Sequence, residues 1–243
     1  MHYDLTGETP IETPWRLAVR KMLPNAFRRR YGRLKYYLIK TRCGTQAVRN
    51  IVLDWRYGGY CGGRIFSRFP ETGAHTTVST DYYELEQVFG PQGIAVRPDD
   101  VLVDVGCGKG RILNYWLHSG LKNKLYGLEL DPEFAGRTAR RLAKFRNVTI
   151  LAGNALETLP DDVTLLFLYN PFERDVLERL MAQIREKYAH RLHTIRIVYY
   201  GCMYLEAFLG DPDWTVEMLD HLPLFCRSAV TRPKTVVSPK PSE

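Results

Sequence analysis

From residue 101 onward the sequence alternates short β-branched runs with helix-patterned stretches, and this rhythm restricts the fold more than any other feature. VLVDVG (101–106), KLYGLEL (124–130), NVTILAG (147–153), VTLLFLYN (163–170) and TIRIVYY (194–200) each read as a strand. Between them, KGRILNYWLHSG (109–120), PEFAGRTARRLAKF (132–145) and the stretch from Glu173 to about Tyr188 read as helices, with Pro132 suited to a first turn. Near-continuous apolar strands separated by helices of this length give a parallel sheet covered on both faces. The rhythm breaks after MYLEAFLG (203–210), a short helix. WTVEML (214–219) and FCRSAVTR (225–232) have only His221-Leu222-Pro223-Leu224 nearby to join them, too few residues for a helical crossover, so they should pair antiparallel. The expected fold is α/β: a seven-strand, mostly parallel sheet with an antiparallel C-terminal hairpin, helices on both faces, and an N-terminal basic helical extension.

Four stretches divide the chain: a flexible lead (1–14), a basic helical and glycine-rich extension (15–78), the α/β domain (79–232) and a flexible tail (233–243). STDYYELEQVFG opens the domain as a helix that Ser79 or Thr80 can cap and Gly90-Pro91 stops. The extension holds most of the charge. Between Trp15 and Asn50 there are eleven Lys and Arg and no acidic residue, more than the net +7 of the whole chain. Arg28, Arg29, Arg30, Arg33 and Lys35 stand close to Phe27, Tyr31, Tyr36 and Tyr37, a mixture that suits phosphates and stacked bases. The same composition suits an anionic membrane surface, or a solvated helical pair packed on the domain; all three readings stay open. No run approaches the ~20 apolar residues of a membrane span. Five cysteines, odd in number and without CxxC spacing, fit a reducing cytoplasm. His190 and His193, three apart without acidic or cysteine neighbours, are not read as metal ligands.

The turn Asp104-Val105-Gly106-Cys107-Gly108-Lys109-Gly110-Arg111 joins the first strand to the first helix. Glycines there let a ligand approach the backbone beside the positive end of a helix. A dinucleotide fingerprint would carry a third glycine where Arg111 stands, and a P-loop would need Gly-Lys followed by Ser or Thr, so both are disfavoured. Cys107 reads as a small packing residue, and Lys109 either as a partner for a cofactor carboxylate or as a solvated side chain. With Asp104 ahead of it, VLVDVGCGKGRIL resembles the first motif of the class I S-adenosylmethionine-dependent methyltransferases. GLELDPEF and AGNALE continue the resemblance over about residues 80–231. The resemblance implies S-adenosylmethionine as cofactor and places Asp104, Gly106, Cys107, Gly108 and Gly110 around it. It further implies that Glu129 holds the ribose hydroxyls and that Asn154, followed by Ala155, faces the adenine amine in place of the usual aspartate.

Strand four ends in Leu168-Tyr169-Asn170-Pro171-Phe172-Glu173, across the switch point from strand one and therefore facing the ligand crevice. This segment is similar to the Asn/Asp-Pro-Pro-aromatic motif of amine methyltransferases, with one proline missing. In that resemblance Asn170 and the Pro171 region accept the hydrogens of a target amine and Phe172 packs on the target. Pro171 could instead just end the strand, with Asn170 as a turn residue. Tyr82 or Tyr83 could cover the methionine end of the cofactor, although packing of their helix is the favoured reading, and Gly58–Gly63 could form a mobile lid. The expected activity is methyl transfer to an amine nitrogen of a protein or nucleic acid. A small-molecule acceptor stays open, as does a binding module that docks on RNA or another polyanion through residues 15–50.

Overall fold

The computed structural model describes residues 44–91, 93–219 and 228–234. The chain forms two compact units, residues 1–49 and 50–243. Of the first, residues 44–49 are described and are helical. The lead 1–14, the basic cluster Arg28, Arg29, Arg30, Arg33 and Lys35, the link 221–224 and the tail from 235 lie outside the described residues.

In the second unit the expected sheet is present. Its strands are β1 (Val101–Val105), β2 (Lys124–Glu129), β3 (Val148–Ala152), β4 (Leu165–Tyr169), β5 (Arg196–Tyr200), β6 (Trp214–Met218) and β7 (Ala229–Pro233). They lie in the order β3-β2-β1-β4-β5-β7-β6. The five strands from β3 to β5 pair in parallel, with Val105 opposite both Leu128 and Leu168. β7 runs antiparallel to β5 and to β6. The carboxyl ends of β1 to β5 therefore share one edge, and the chain reverses there between β1 and β4, the place where such sheets hold ligands.

Alternate residues of each strand enter two different cores, which is why the strands read as unbroken apolar runs. Val103, Leu166, Leu168 and Ile197 pack on one face with Leu177, Leu180 and Ile184 of α6 (Arg174–Lys187) and Phe208 of α7 (Glu206–Leu209). Leu102, Leu165, Phe167 and Val198 pack on the other with Leu85 and Val88 of α2 (Tyr82–Phe89) and Leu113 and Trp116 of α3 (Arg111–His118). The remaining helices are α1 (residues 50–56), α4 (Pro132–Leu142) and α5 (Ala155–Thr158). Two local expectations change. The N-cap of α2 is Asp81 rather than Ser79 or Thr80, with the Glu84 carboxylate accepting from its backbone N–H at 3.2 Å. Ser79 instead donates to the Cys61 carbonyl at 2.5 Å. The glycine-rich stretch also contains a short antiparallel ladder, Arg64–Ile65 with Thr77–Val78.

A buried polar network joins α1 to the start of α3. Asp54 is completely buried, and Arg111 is 5 % exposed. The Arg111 guanidinium donates to both Asp54 oxygens, at 3.1 and 2.6 Å. The same carboxylate accepts from the Tyr82 hydroxyl at 3.0 Å and from the Cys61 N–H at 2.9 Å. Arg141 of α4 donates to the carbonyls of Tyr57 and Lys109 and to Asn114 Oδ1, at 2.6, 2.6 and 2.8 Å. Removing one member of a buried pair strands the other charge, at a cost of about 3–5 kcal/mol. Asp54→Ala should lower the unfolding free energy in urea by that amount; a midpoint equal to the wild type would contradict the role given to the pair.

Candidate active site

β1 ends where the backbone must turn sharply, and the glycines permit it. Gly106, Gly108 and Gly110 have φ of 78°, 50° and 72°, in the left-handed region that disfavours a Cβ. The N–H groups of Gly106 and Cys107 donate to the Leu128 carbonyl at 2.9 and 2.8 Å, pinning the turn to the end of β2. A Cβ on Gly106 would sit 3.2 Å from Pro171 Cβ, so the turn abuts the segment after β4. A Cβ on Gly110 would meet Thr138 Cγ2 at 3.0 Å, so the close contact between α3 and α4 falls at this glycine. Arg111, where a dinucleotide site would have its third glycine, faces inward to Asp54.

Cys107 is buried, and burial pushes its thiol well above the ordinary value. A Cβ at Gly127 would lie 2.8 Å from its Sγ, so the cysteine fills a tight packing position. Lys109 Nζ donates to the Gly62 carbonyl at 2.7 Å and lies 5.7 Å from the Tyr60 ring centre. Its ammonium thus fastens the glycine-rich segment to the turn. Tyr82 is fully buried within the Asp54 network and packs there instead of covering the crevice.

Glu129, at the end of β2, is buried and closes on the turn. Oε2 accepts from the Gly108 N–H at 2.7 Å and Oε1 from the Asp131 N–H at 2.9 Å. Burial raises its pKa, and the N–H groups of Asp131, Gly108 and Leu130 oppose that rise. Asp104 is buried beside it, and burial, with the Glu129 charge second, pushes its pKa from 3.8 to about 8. Asn154 is the N-cap of α5, with Oδ1 accepting from the Leu156 N–H at 3.0 Å, and Ala155 is the first residue of that helix.

Asn170 follows β4 with φ of 43°, the one positive value outside glycine among the described residues. Its Oδ1 accepts from the Tyr199 hydroxyl at 2.8 Å. Burial holds the Tyr199 phenol protonated far above its ordinary range, which keeps it a donor. The Pro171 carbonyl accepts from the His75 N–H at 3.0 Å. Ala74 and Phe172 form an antiparallel bridge, and the Glu173 N–H donates to the Gly73 carbonyl at 3.0 Å. Phe172 is 9 % exposed and packs into the core with Val176 and Leu177, which leaves little of its ring to meet a substrate.

The structure thus gathers Gly106, Gly108, Glu129 and Pro171 around one crevice mouth. His75, Tyr199 and Tyr204 were not among the residues singled out from sequence. Tyr199 had one available signal: it lies near the carboxyl end of the strand paired with β4, opposite Leu168. His75 had none, because its contacts lie 95 and more positions away.

Residues 103–186 match the family model described as a methyltransferase domain. The chain is similar to the TehB-like, S-adenosylmethionine-dependent methyltransferase of Corynebacterium glutamicum, at 19 % identity over 58 % of this chain and 83 % of that one, TM-score 0.44. It is also similar to an RNA methyltransferase of Salinibacter ruber bound to S-adenosylhomocysteine (19 % identity, 65 % and 91 %, TM-score 0.42). A third likeness is to the methyltransferase PaMTH1 of Podospora anserina (15 % identity, 72 % and 91 %, TM-score 0.44). No curated protein sequence matches the chain.

Asp104 gives the site a measurable pH signature. Its folded pKa of about 8 lies above its ordinary 3.8, so the folded state holds the proton more tightly than the unfolded one. Stability contributed by this group therefore falls as pH rises, by up to about 1.4 kcal/mol per pH unit within roughly pH 5–8. Asp104→Asn should flatten that fall in urea unfolding of the cofactor-free protein. Parallel profiles for variant and wild type would contradict the assignment.

Proposed function

We propose that this chain, whose residues 103–186 match a methyltransferase-domain model, is a class I methyltransferase that transfers a methyl group from S-adenosylmethionine to an amine nitrogen of a protein or nucleic acid. The observation that carries this reading is the abutment of the glycine turn on the Asn170-Pro171 segment, 3.2 Å from a Gly106 Cβ to Pro171 Cβ. It brings a cofactor cradle and a hydrogen-bond acceptor to one place.

The residues fit the cofactor. Glu129 is a buried carboxylate held against the glycine turn at the end of β2, an acceptor suited to ribose hydroxyls. The turn lacks side chains where a Cβ would crowd the crevice mouth. Asn154 stands after β3 with Oδ1 already capping α5, which leaves one lone pair for the adenine amine. When bound, the cofactor would supply a sulfonium methyl: a neutral nitrogen lone pair would bond to its carbon as the C–S electrons pass to sulfur, and the alkylated nitrogen would then release a proton to solvent. Asn170 Oδ1, fixed by Tyr199, accepts one N–H of that nitrogen and favours the positive charge that grows on it. The Pro171 carbonyl accepts from the His75 N–H and, like Asn170 Oδ1, keeps one lone pair for the acceptor. Such a site works by placing the nitrogen in line and needs no strong base.

The charge of residues 15–50 supports a macromolecular acceptor, since eleven basic residues without an acidic one would hold a polyanion. A cytoplasmic location is part of the same reading; no helix among the described residues is long and apolar enough to cross a membrane.

Transfer of labelled methyl from S-adenosylmethionine into an extract lacking this protein tests the proposal. Label should enter a nuclease- or protease-sensitive fraction, and Asn170→Ala should reduce its rate on the order of 10²-fold. Full rate in that variant would remove Asn170 from the reaction, and label confined to small molecules would overturn the macromolecular acceptor.

A further inference from the structure

Asn170 sits in a closed hydrogen-bond circuit. Its carbonyl lies 2.9 Å from His75 Nδ1, and His75 Nε2 lies 2.9 Å from Glu173 Oε1. Glu173 Oε2 accepts from the Tyr204 hydroxyl. The Tyr204 N–H donates to the Tyr199 hydroxyl at 3.3 Å, and Tyr199 returns to Asn170 Oδ1 at 2.8 Å. The Tyr204 and His75 hydrogen bonds hold the Glu173 carboxyl below its ordinary range, so it remains an acceptor.

Asn170 Nδ2 also lies near His75 Nδ1, at 3.3 Å, and donates to Met203 Sδ at 2.8 Å.

We propose that His75 is a positioning residue of the methyl-acceptor site, acting through Asn170; this rests on the reading of Asn170 as the partner of the acceptor nitrogen. Asn170 occupies a strained backbone region, and such a residue keeps its geometry only when its surroundings over-determine it. His75 supplies two of the constraints, one from its ring to the Asn170 carbonyl and one from its N–H to the Pro171 carbonyl. The pair it makes with Glu173 is exposed, at 24 % and 53 %, so its contribution to stability is small and its effect is on geometry.

The chain delivers His75 by a strap anchored on both sides of the crevice. Arg68 grips both oxygens of Asp131 just after β2, and His75 grips Asn170 and Glu173 just after β4. β1 lies between those strands, so residues 68–75 span the glycine turn. The strap lies outside the residues that match the family model, which makes this constraint a property of the chain's own extension.

The test uses the full chain with His75→Ala and His75→Gln, beside Asn170→Ala. His75→Ala should lower labelled methyl transfer at saturating cofactor on the order of 10²-fold, the loss expected when a reacting group is misplaced. Thermal midpoint and calorimetric affinity for S-adenosylhomocysteine should stay at wild-type values. His75→Gln, whose amide can donate to the Asn170 carbonyl, should recover part of the rate. Wild-type transfer in His75→Ala with a slow Asn170→Ala would overturn the role of His75 alone; wild-type transfer in both would overturn the acceptor reading itself. A loss in His75→Ala explained by weaker cofactor binding or lower stability would also count against positioning.

Discussion

The ion pair between Asp54 and Arg111 sets the geometry on which the crevice depends. It lies where α3 leaves the glycine turn, and both groups are withdrawn from water. Such a pair is weak evidence for net stability, because desolvation offsets most of the attraction. Its consequence here is positional. With every oxygen direction of Asp54 taken by Arg111, Tyr82 and Cys61, α1 and the following loop have one way to sit against α3. Lys109 and Arg141 then clasp that loop to the turn from outside. The arginine that disqualifies the turn as a dinucleotide fingerprint is thus the residue that attaches the preceding chain to the sheet.

From that attachment the rest of the site follows. The loop leads into residues 68–75, which pass from Asp131 to Asn170 and reach the two strands flanking β1. Glu129 and Asp131 divide the work at the end of β2: the first faces the turn, and the second caps α4 and holds Arg68. At the end of β4 the backbone strain of Asn170 is balanced by contacts from β5 and from the strap. On the proposed reading, an amide so oriented loses little freedom when a substrate arrives, which is what a site working by position requires.

The features readable in the sequence were those carried by local pattern. Unbroken apolar runs marked strands buried on both faces, and the short interval between β6 and β7 marked their reversal. Gly106, Gly108 and Gly110 marked a turn that a Cβ would obstruct, and Glu129 marked the end of β2. Features made by contacts between distant segments were not readable. His75 meets Asn170 across 95 positions, from the end of a glycine-rich stretch whose pattern predicts only irregularity. Arg111 looked like a missing glycine because its partner, Asp54, lies 57 positions earlier. Phe172 was placed on the target by resemblance, whereas its side chain enters the core beside Val176 and Leu177. The α2 cap is Asp81 rather than Ser79 or Thr80: the Ser79 hydroxyl is spent on the Cys61 carbonyl, and the Thr80 hydroxyl is buried without a partner among the described residues.

On the proposed function, the carboxylate of Glu129 and the glycine turn together hold S-adenosylmethionine. Calorimetric titration of the full chain with S-adenosylhomocysteine compares the wild type with Glu129→Ala. Saturable one-to-one binding is expected in the wild type, and an affinity about 100-fold weaker or worse in the variant, from the loss of two hydrogen bonds to a charged group. Equal affinities in the two proteins, or no binding to the wild type, would contradict that proposal.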